Sequence, residues 1–205
     1  MIDARLLPLQ RRLLSPLARA LADLRVRPDQ VTIAGFLLGL LAVPALAAGQ
    51  FGLALGLILL NRLADGLDGA IARQTRVTDR GAFLDIALDF VFYALIPVGF
   101  ALAAPEQNAL AAAVLIAAFV GTGSSFLAFA TIAAKRGMRA EAYPTKGIYY
   151  LGGLTEGAET IAFFIAICLW PVAFAPLAYV FSAACAVTTL TRWYIGWRAF
   201  AGEIE

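Results

Sequence analysis

Residues 65–89 read DGLDGAIARQTRVTDRGAFLDIALD, and apolar runs long enough to cross a bilayer flank this stretch on both sides. The stretch contains four carboxylates, Asp65, Asp68, Asp85 and Asp89. Carboxylates at membrane depth are costly to bury and usually mark a functional site. The sequence therefore predicts an active site built between membrane helices.

The four acids fall on two helical faces. The first face takes positions i, i+3, i+4 and i+7 of one helix and consists of Asp65, Asp68, Gly69 and Ala72. After a basic stretch over residues 73–80, Gly81, Asp85 and Asp89 follow four apart on a second face. Two helices joined by a short turn can therefore point all four carboxylates at each other, beside small residues that let a ligand approach.

The composition identifies an integral membrane protein. Hydrophobic residues make up 61% of the 205 residues and charged residues only 15%, which is too little charge for a soluble domain of this length. A spanning helix needs about 20 mainly apolar residues. Six such runs are predicted, at 31–48, 52–72, 82–103, 109–133, 148–169 and 173–191. We expect one all-α domain over residues 1–205, with a six-helix bundle over 31–198.

Basic residues predict which ends of these helices face the cytoplasm. The outer connections at 49–50, 105–108 and 170–176 contain no Lys or Arg, whereas the inner segments are rich in them. Both termini and the loop between the acidic faces are therefore predicted to be cytoplasmic, in an inner membrane. Arg62 alone lies well inside a span, and we expect it to neutralise an acid between helices.

The N-terminal segment 4–27 mixes leucines with arginines. A signal peptide would have an unbroken apolar core, but Arg11 and Arg12 interrupt this one. The segment therefore predicts an amphipathic helix on the inner membrane surface.

The acidic cluster predicts a particular class of metal. The chain has no His, which excludes imidazole ligands, and Cys168 and Cys185 lack the spacing of a zinc or redox pair. Ligands that are all carboxylate oxygens select Mg²⁺ or Mn²⁺. Four acids in one pocket would repel each other without divalent ions, and a pair of ions about 4 Å apart is typical of phosphoryl chemistry. Arg73, one turn past Gly69, is placed to hold a phosphate.

The pattern Asp65-x2-Asp68-Gly69-x2-Ala72-Arg73, followed by Gly81-x3-Asp85-x3-Asp89, closely resembles the signature of the CDP-alcohol phosphotransferases. One departure is visible, because seven residues separate Arg73 from Gly81 where the family pattern has eight. This difference changes the joining turn and leaves both helical faces intact. Pro28-x3-Thr32 extends the resemblance more weakly, with Asp29 where the family more often has Asn.

The resemblance implies a reaction and a role for each residue. A lipid-linked CDP-alcohol would enter a polar pocket at the inner membrane face, and CMP would leave when an acceptor hydroxyl attacks the phosphorus that bears the lipid. Asp65, Asp68 and Asp85 would bind the metals, while Asp89 would also bind metal and take the proton of the hydroxyl. The family positions that contact the cytidine diphosphate correspond here to Asp68, Gly69, Ala72 and Arg73, and more weakly to Thr32 and Thr78. The resemblance also implies a homodimer, and no nucleic-acid partner is expected.

The acceptor alcohol is open at the sequence level. A phosphorylated polyol, such as glycerol 3-phosphate or an inositol phosphate, is favoured and needs a basic subsite, for which the candidates are Lys135, Arg136, Arg139 and Arg192. A zwitterionic acceptor such as serine would also need an anion, which Glu156 or Glu159 could supply. These two glutamates are predicted to lie about 12 to 17 Å inside the fifth span. There we expect them to pair with Arg62 or Arg192.

Two other functions compete with the favoured one. The donor could instead carry a head-group alcohol on the CDP, with diacylglycerol as the acceptor. A cation channel or transporter would use the acids as an ion site. Ion transport leaves the spacing of Gly69, Ala72, Arg73 and Gly81 unexplained.

Overall fold

The computed structural model describes residues 2–138 and 153–202, and the side chains from residue 12 onward within these ranges. Their regular structure is entirely helical, as predicted. The helices are α1 (Ile2–Asp23), α2 (Pro28–Leu40), α3 (Ala42–Ala47), α4 (Phe51–Gln74), α5 (Asp79–Ala103), α6 (Pro105–Lys135), α7 (Gly157–Leu169) and α8 (Phe174–Ala199), with a 3₁₀ turn at Pro171–Ala173. An all-α integral membrane protein is thereby confirmed.

Four helical segments in the described ranges are long and apolar enough to span a membrane: Pro28–Ala47, Asp79–Ala103, Pro105–Lys135 and Pro171–Ala199. Helix α7 is apolar but shorter. Helix α4 has 24 residues, and it carries Arg62, Asp65 and Asp68. The predicted second span coincides with α4, and the total of six spans stays a prediction.

The predicted hairpin of acidic helices is present. Helix α4 ends at Gln74 and α5 begins at Asp79, so the joining turn is only residues 75–78. Thr78 is the N-cap of α5, and its Oγ1 accepts a hydrogen bond from the Gly81 N–H at 3.1 Å. Both acidic faces therefore lie on regular helix. This agrees with the expectation that the one-residue difference from the family pattern changes only the joining turn.

The predicted depth of the two glutamates in the fifth span is wrong. Residues 153–156 are not helical, and α7 begins only at Gly157, so Glu156 is its N-cap and Glu159 lies in its first turn. Each side chain accepts a hydrogen bond from the other residue's backbone N–H. Such a reciprocal capping box satisfies two N–H groups that have no partner within the helix, and carboxylates are also favoured at the positive end of the helix dipole.

Helix α1 lies against the C-terminal half of α4. Four of its apolar side chains, Leu14, Ala18, Leu21 and Ala22, pack with Leu67, Ala70, Ile71 and Val31. Two further leucines of α1 among the described side chains, Leu13 and Leu17, are exposed. Helix α1 is thus present as predicted, and its place on the inner membrane surface stays a prediction.

The acidic helix α4 is held close to α2 by a glycine contact. A Cβ added at Gly35 would lie only 2.4 Å from the Cβ of Ala64. One turn along α4, the Asn61 Nδ2 donates to the Gly35 carbonyl oxygen at 2.9 Å. This close contact sets the position of α4 immediately before the first acid.

We therefore predict that Gly35→Ala destabilises the fold by about 1–3 kcal/mol, because the added methyl group overpacks a tight helix contact. Thermal unfolding of the purified protein in detergent measures the effect. Gly52→Ala is the matched control, since nothing lies within 4 Å of a Cβ built there. Equal unfolding temperatures for the two variants would contradict the assigned contact.

Candidate active site

Three of the four predicted acids form one compact group. Carboxylate oxygens of Asp65, Asp85 and Asp89 all lie within 4.8 Å of one another, and we call these residues the acid trio. Divalent ions bind carboxylate oxygens at about 2.0–2.6 Å, so oxygens sharing one ion lie up to about 4–5 Å apart. The trio is therefore compact enough to surround a divalent ion, and its oxygen-only donor set suits Mg²⁺ or Mn²⁺.

Asp68 lies beside the trio in a different environment. Its side chain is buried, and its Oδ2 accepts a hydrogen bond from the Thr32 Oγ1 of α2 at 2.5 Å. All four acids border a space of about 10 Å³, which we call the inner chamber. This is about the volume that one water-sized sphere needs. The predicted convergence of the four carboxylates on a common space is thus present.

Arg62 pairs with acids of the trio across the two helices, as expected from the sequence. Its guanidinium donates to both Asp89 oxygens, at 2.7 and 3.3 Å, and forms an ion pair with Asp65 at 3.8 Å. The Asn61 Oδ1 accepts two further hydrogen bonds from it, and the Tyr93 hydroxyl oxygen accepts one at 2.9 Å. The expected pairing of Arg62 with Glu156 or Glu159 is wrong, because its donors are used within the α4–α5 hairpin.

A larger cavity of about 740 Å³ lies next to the inner chamber, and we call it the main cavity. Asp68, Asp85 and Asp89 border both spaces, whereas Asp65 borders only the inner chamber. The wall of the main cavity contains every residue that the sequence matched to the nucleotide: Thr32, Asp68, Gly69, Ala72, Arg73 and Thr78. Asp29 also lines this cavity and pairs with Arg80, which ties the start of α2 to the start of α5.

The other side of the main cavity is apolar and was not predicted. It lies between α5 and α6 and includes Phe90, Ala94, Ile116, Phe119, Val120 and Leu127. Helix α6 packs closely on α5 beside this wall, because a Cβ built at Gly123 would lie 2.6 Å from the Phe90 ring. Apolar side chains in a membrane helix carry no signal that separates a cavity wall from a lipid-facing surface.

The structure divides the predicted acceptor-binding residues. Arg192 lines the main cavity and is only 7% exposed. Its Nη1 donates to the Thr122 carbonyl oxygen at 3.0 Å, and its guanidinium lies 5.6 Å from the Phe126 ring centre. Glu156 borders the same cavity. Arg192 is thus a buried cation in the wall of the main cavity, and its acceptor-binding role stays a prediction.

Lys135 and Arg136 lie elsewhere, so the acceptor role predicted for them is corrected. Neither lines the main cavity in the described part of the chain. Arg136 donates to the carbonyl oxygens of Phe200 at 3.0 Å and Gly202 at 2.7 Å, where it caps the end of α8. Lys135 is exposed in the last turn of α6. Arg139 lies outside the described residues.

Two residues of the site were missed at the sequence level. Asn61 is 4% exposed and Tyr93 is partly buried, and both position Arg62 through hydrogen bonds. Each carried a weak signal: Asn61 is a polar residue within an apolar run, and Tyr93 follows Asp89 by one helical turn.

Comparison with known proteins supplies the family context. The family model described as CDP-alcohol phosphatidyltransferase matches residues 25–196. The chain is 55% identical over 197 residues to the inner membrane protein YnjF of Escherichia coli K12, covering 96% of each protein.

Two crystal structures of a Mycobacterium tuberculosis phosphatidylinositol phosphate synthase share the fold. The complex with manganese and citrate has a TM-score of 0.71 at 22% identity, covering 90% of this chain and 88% of that one. The complex with CDP-DAG has a TM-score of 0.65 at 23% identity, covering 91% and 94%.

We predict that Asp65→Asn and Asp85→Asn each weaken Mn²⁺ binding about tenfold or more, because each change removes an anionic ligand from an oxygen-only site. Electron paramagnetic resonance of Mn²⁺ added to the purified protein measures free and bound ion. Asp79→Asn is the control, since Asp79 is exposed and lines neither cavity. Unchanged affinity in both trio variants would exclude a metal site there.

Proposed function

Because the chain belongs to the CDP-alcohol phosphatidyltransferase family, we propose that it transfers a phosphatidyl group from CDP-diacylglycerol to a small phosphorylated alcohol and releases CMP. One observation carries the proposal. The acid trio, within 4.8 Å, lies at the edge of a cavity of about 740 Å³ whose wall contains the whole nucleotide motif. Ligand sites of about 300–1,000 Å³ are typical of small-molecule binding.

The two sides of the main cavity suit the two parts of the donor. Asp68, Arg73 and the Thr32 and Thr78 hydroxyl groups form a polar wall for a cytidine diphosphate. Gly69 and Ala72 present little side chain, so the nucleotide can approach the α4 backbone. The apolar wall between α5 and α6 offers a surface for the diacylglycerol portion. The CDP-DAG bound by the M. tuberculosis relative supports this assignment of donor.

Asp65, Asp68, Asp85 and Asp89 would hold Mg²⁺ or Mn²⁺, and we propose two ions. When bound, these ions neutralise charge on the phosphate oxygens as the bond to the leaving group breaks. Support comes from the oxygen-only donor set and from the manganese in the structurally similar synthase.

Asp89 is the proposed general base. Its carboxylate borders both the inner chamber and the main cavity, so it can meet a hydroxyl group entering from the cavity side. The acceptor oxygen forms a bond to the phosphorus that bears the lipid, and the bond from that phosphorus to the CMP oxygen breaks. The hydroxyl proton passes to Asp89, since a positioned carboxylate can take a proton in the transition state.

The acceptor is proposed to bind near Arg192. This guanidinium is buried in the cavity wall, and a buried arginine is suited to a phosphate through charge-assisted hydrogen bonds. Glu156 borders the same cavity, but its carboxylate already accepts backbone hydrogen bonds from Gly153 and Glu159. A phosphorylated alcohol is therefore favoured over a zwitterionic one, and Arg139 stays a predicted further contact.

We propose further that the cavity opens to the cytoplasm, with both termini on that side, and that two copies of the chain form a homodimer. The arrangement of basic residues supports the orientation. The Arg80–Asp29 pair and Arg73 lie at the end of the hairpin that this orientation places at the cytoplasmic surface.

The direct test incubates the purified protein with labelled CDP-diacylglycerol and a panel of alcohols, and measures CMP and the new lipid. We expect CMP release with a phosphorylated polyol, loss of activity on chelation, and recovery with Mg²⁺ or Mn²⁺. Asp89→Asn should lower turnover about 10²–10⁴-fold, the range for a general base, while donor binding persists. Cation flux without CMP release would instead identify a channel or transporter.

Arg192→Gln tests the acceptor subsite. The loss of a charge-assisted hydrogen bond should raise the acceptor KM about tenfold or more, with a smaller change in the donor KM. Arg136→Gln is the matched control and should leave the acceptor KM unchanged, since Arg136 caps α8. A larger effect from Arg136→Gln than from Arg192→Gln would overturn the assignment.

A further inference from the structure

Arg62 is enclosed inside the α4–α5 hairpin by contacts on every side. Its side chain is 8% exposed, and it is the one basic residue among the described residues that border the inner chamber. The guanidinium lies 4.9 Å from the Phe92 ring centre and 5.0 Å from the Tyr93 ring centre. Together with the Asn61 and Tyr93 hydrogen bonds, these rings fix the cation in place.

The guanidinium is fixed against two members of the acid trio. It bonds both oxygens of Asp89 and lies 3.8 Å from Asp65. A guanidinium stays charged at any pH relevant to a protein. The group facing the inner chamber therefore comprises four acids and one permanent positive charge.

This arrangement has two consequences for a divalent ion. Charges a few ångströms apart interact by several kcal/mol at the effective dielectric constant of a protein, so the guanidinium repels an incoming cation. In addition, the oxygens of Asp89 already accept hydrogen bonds, and an ion must share or displace them. Both effects lower the affinity of the cluster for the ion.

We propose that Arg62 is the resident counter-ion of the acidic cluster: it holds Asp89 when divalent ions are absent and weakens the binding of those ions. The proposal rests on the proposed function only in treating the cluster as a divalent-ion site. Arg62 is a positioning residue in this scheme, because it acts on the reaction through Asp89.

A purely structural ion pair leads to a different expectation. If Arg62 only stabilised the hairpin, its removal would weaken folding and ion binding together. If Arg62 is a resident counter-ion, its removal should instead strengthen ion binding. The four acids then face the inner chamber without a positive side chain and attract a cation more strongly. The sign of the change in ion affinity therefore separates the two roles.

The experiment compares the full-length wild-type chain with Arg62→Gln and Arg62→Lys in detergent, by Mn²⁺ paramagnetic resonance titration and by thermal unfolding in chelator. We expect Arg62→Gln to bind Mn²⁺ about tenfold more tightly, about 1.4 kcal/mol, and to unfold at a lower temperature in chelator. Arg62→Lys keeps the charge and should stay within about threefold of the wild-type affinity.

Arg80→Gln is the matched control, because it breaks the Arg80–Asp29 pair outside the inner chamber and should leave Mn²⁺ affinity unchanged. Unchanged or weaker Mn²⁺ binding by Arg62→Gln would overturn the proposal. Arg62→Met, which places an uncharged side chain beside the Phe92 and Tyr93 rings, gives a second test. It too should bind Mn²⁺ more tightly than the wild-type chain.

The outcomes also separate this inference from the proposed function. If Arg62→Gln and Arg62→Met fold only when Mn²⁺ is present, the counter-ion role is supported. If both fail to fold even in Mn²⁺, the counter-ion role is overturned. A wild-type chain that binds Mn²⁺ and releases CMP, with no tightening in Arg62→Gln, overturns only the inference. A wild-type chain that binds no Mn²⁺ overturns both the inference and the proposed metal site.

Discussion

Repulsion between buried carboxylates is the constraint on which the site depends. Three carboxylates within 4.8 Å of each other, in helices that cross or enter a membrane, cannot stay charged without compensation. The protein supplies part of that compensation itself, through the guanidinium of Arg62 on Asp89 and the hydroxyl of Thr32 on Asp68. The remaining negative charge is the charge that the proposed divalent ions would neutralise.

The packing of α2 against α4 and α5 keeps these groups in register. The contact between Gly35 and Ala64 brings α2 close enough for Thr32 to reach Asp68 and for Asn61 to bond the α2 backbone. Asn61 in turn holds Arg62, which holds Asp89 on the neighbouring helix. A chain of short contacts thus runs from a glycine on α2 to the proposed catalytic carboxylate on α5.

The division of the site into two spaces follows from the same packing. The inner chamber is small and acidic, whereas the main cavity combines a polar wall on α4 with an apolar wall between α5 and α6. Asp68, Asp85 and Asp89 border both spaces, so an ion bound in the chamber would lie beside a ligand bound in the cavity. Arg192 on α8 provides a buried cation in the cavity wall.

Local pattern alone determined much of this protein. Composition identified the membrane class, and helical spacing identified the α4–α5 hairpin and its two acidic faces, because both properties depend on near neighbours in the chain. Tertiary structure decided the partners of the buried arginines: Arg62 bonds Asp89, 27 residues away, and Arg192 bonds the carbonyl oxygen of Thr122, 70 residues away. It also assigned Arg136 to the end of α8 and Glu156 to a helix cap, since an apolar run does not show where a helix begins. Contacts between distant segments depend on how whole helices pack, which no short stretch of sequence encodes.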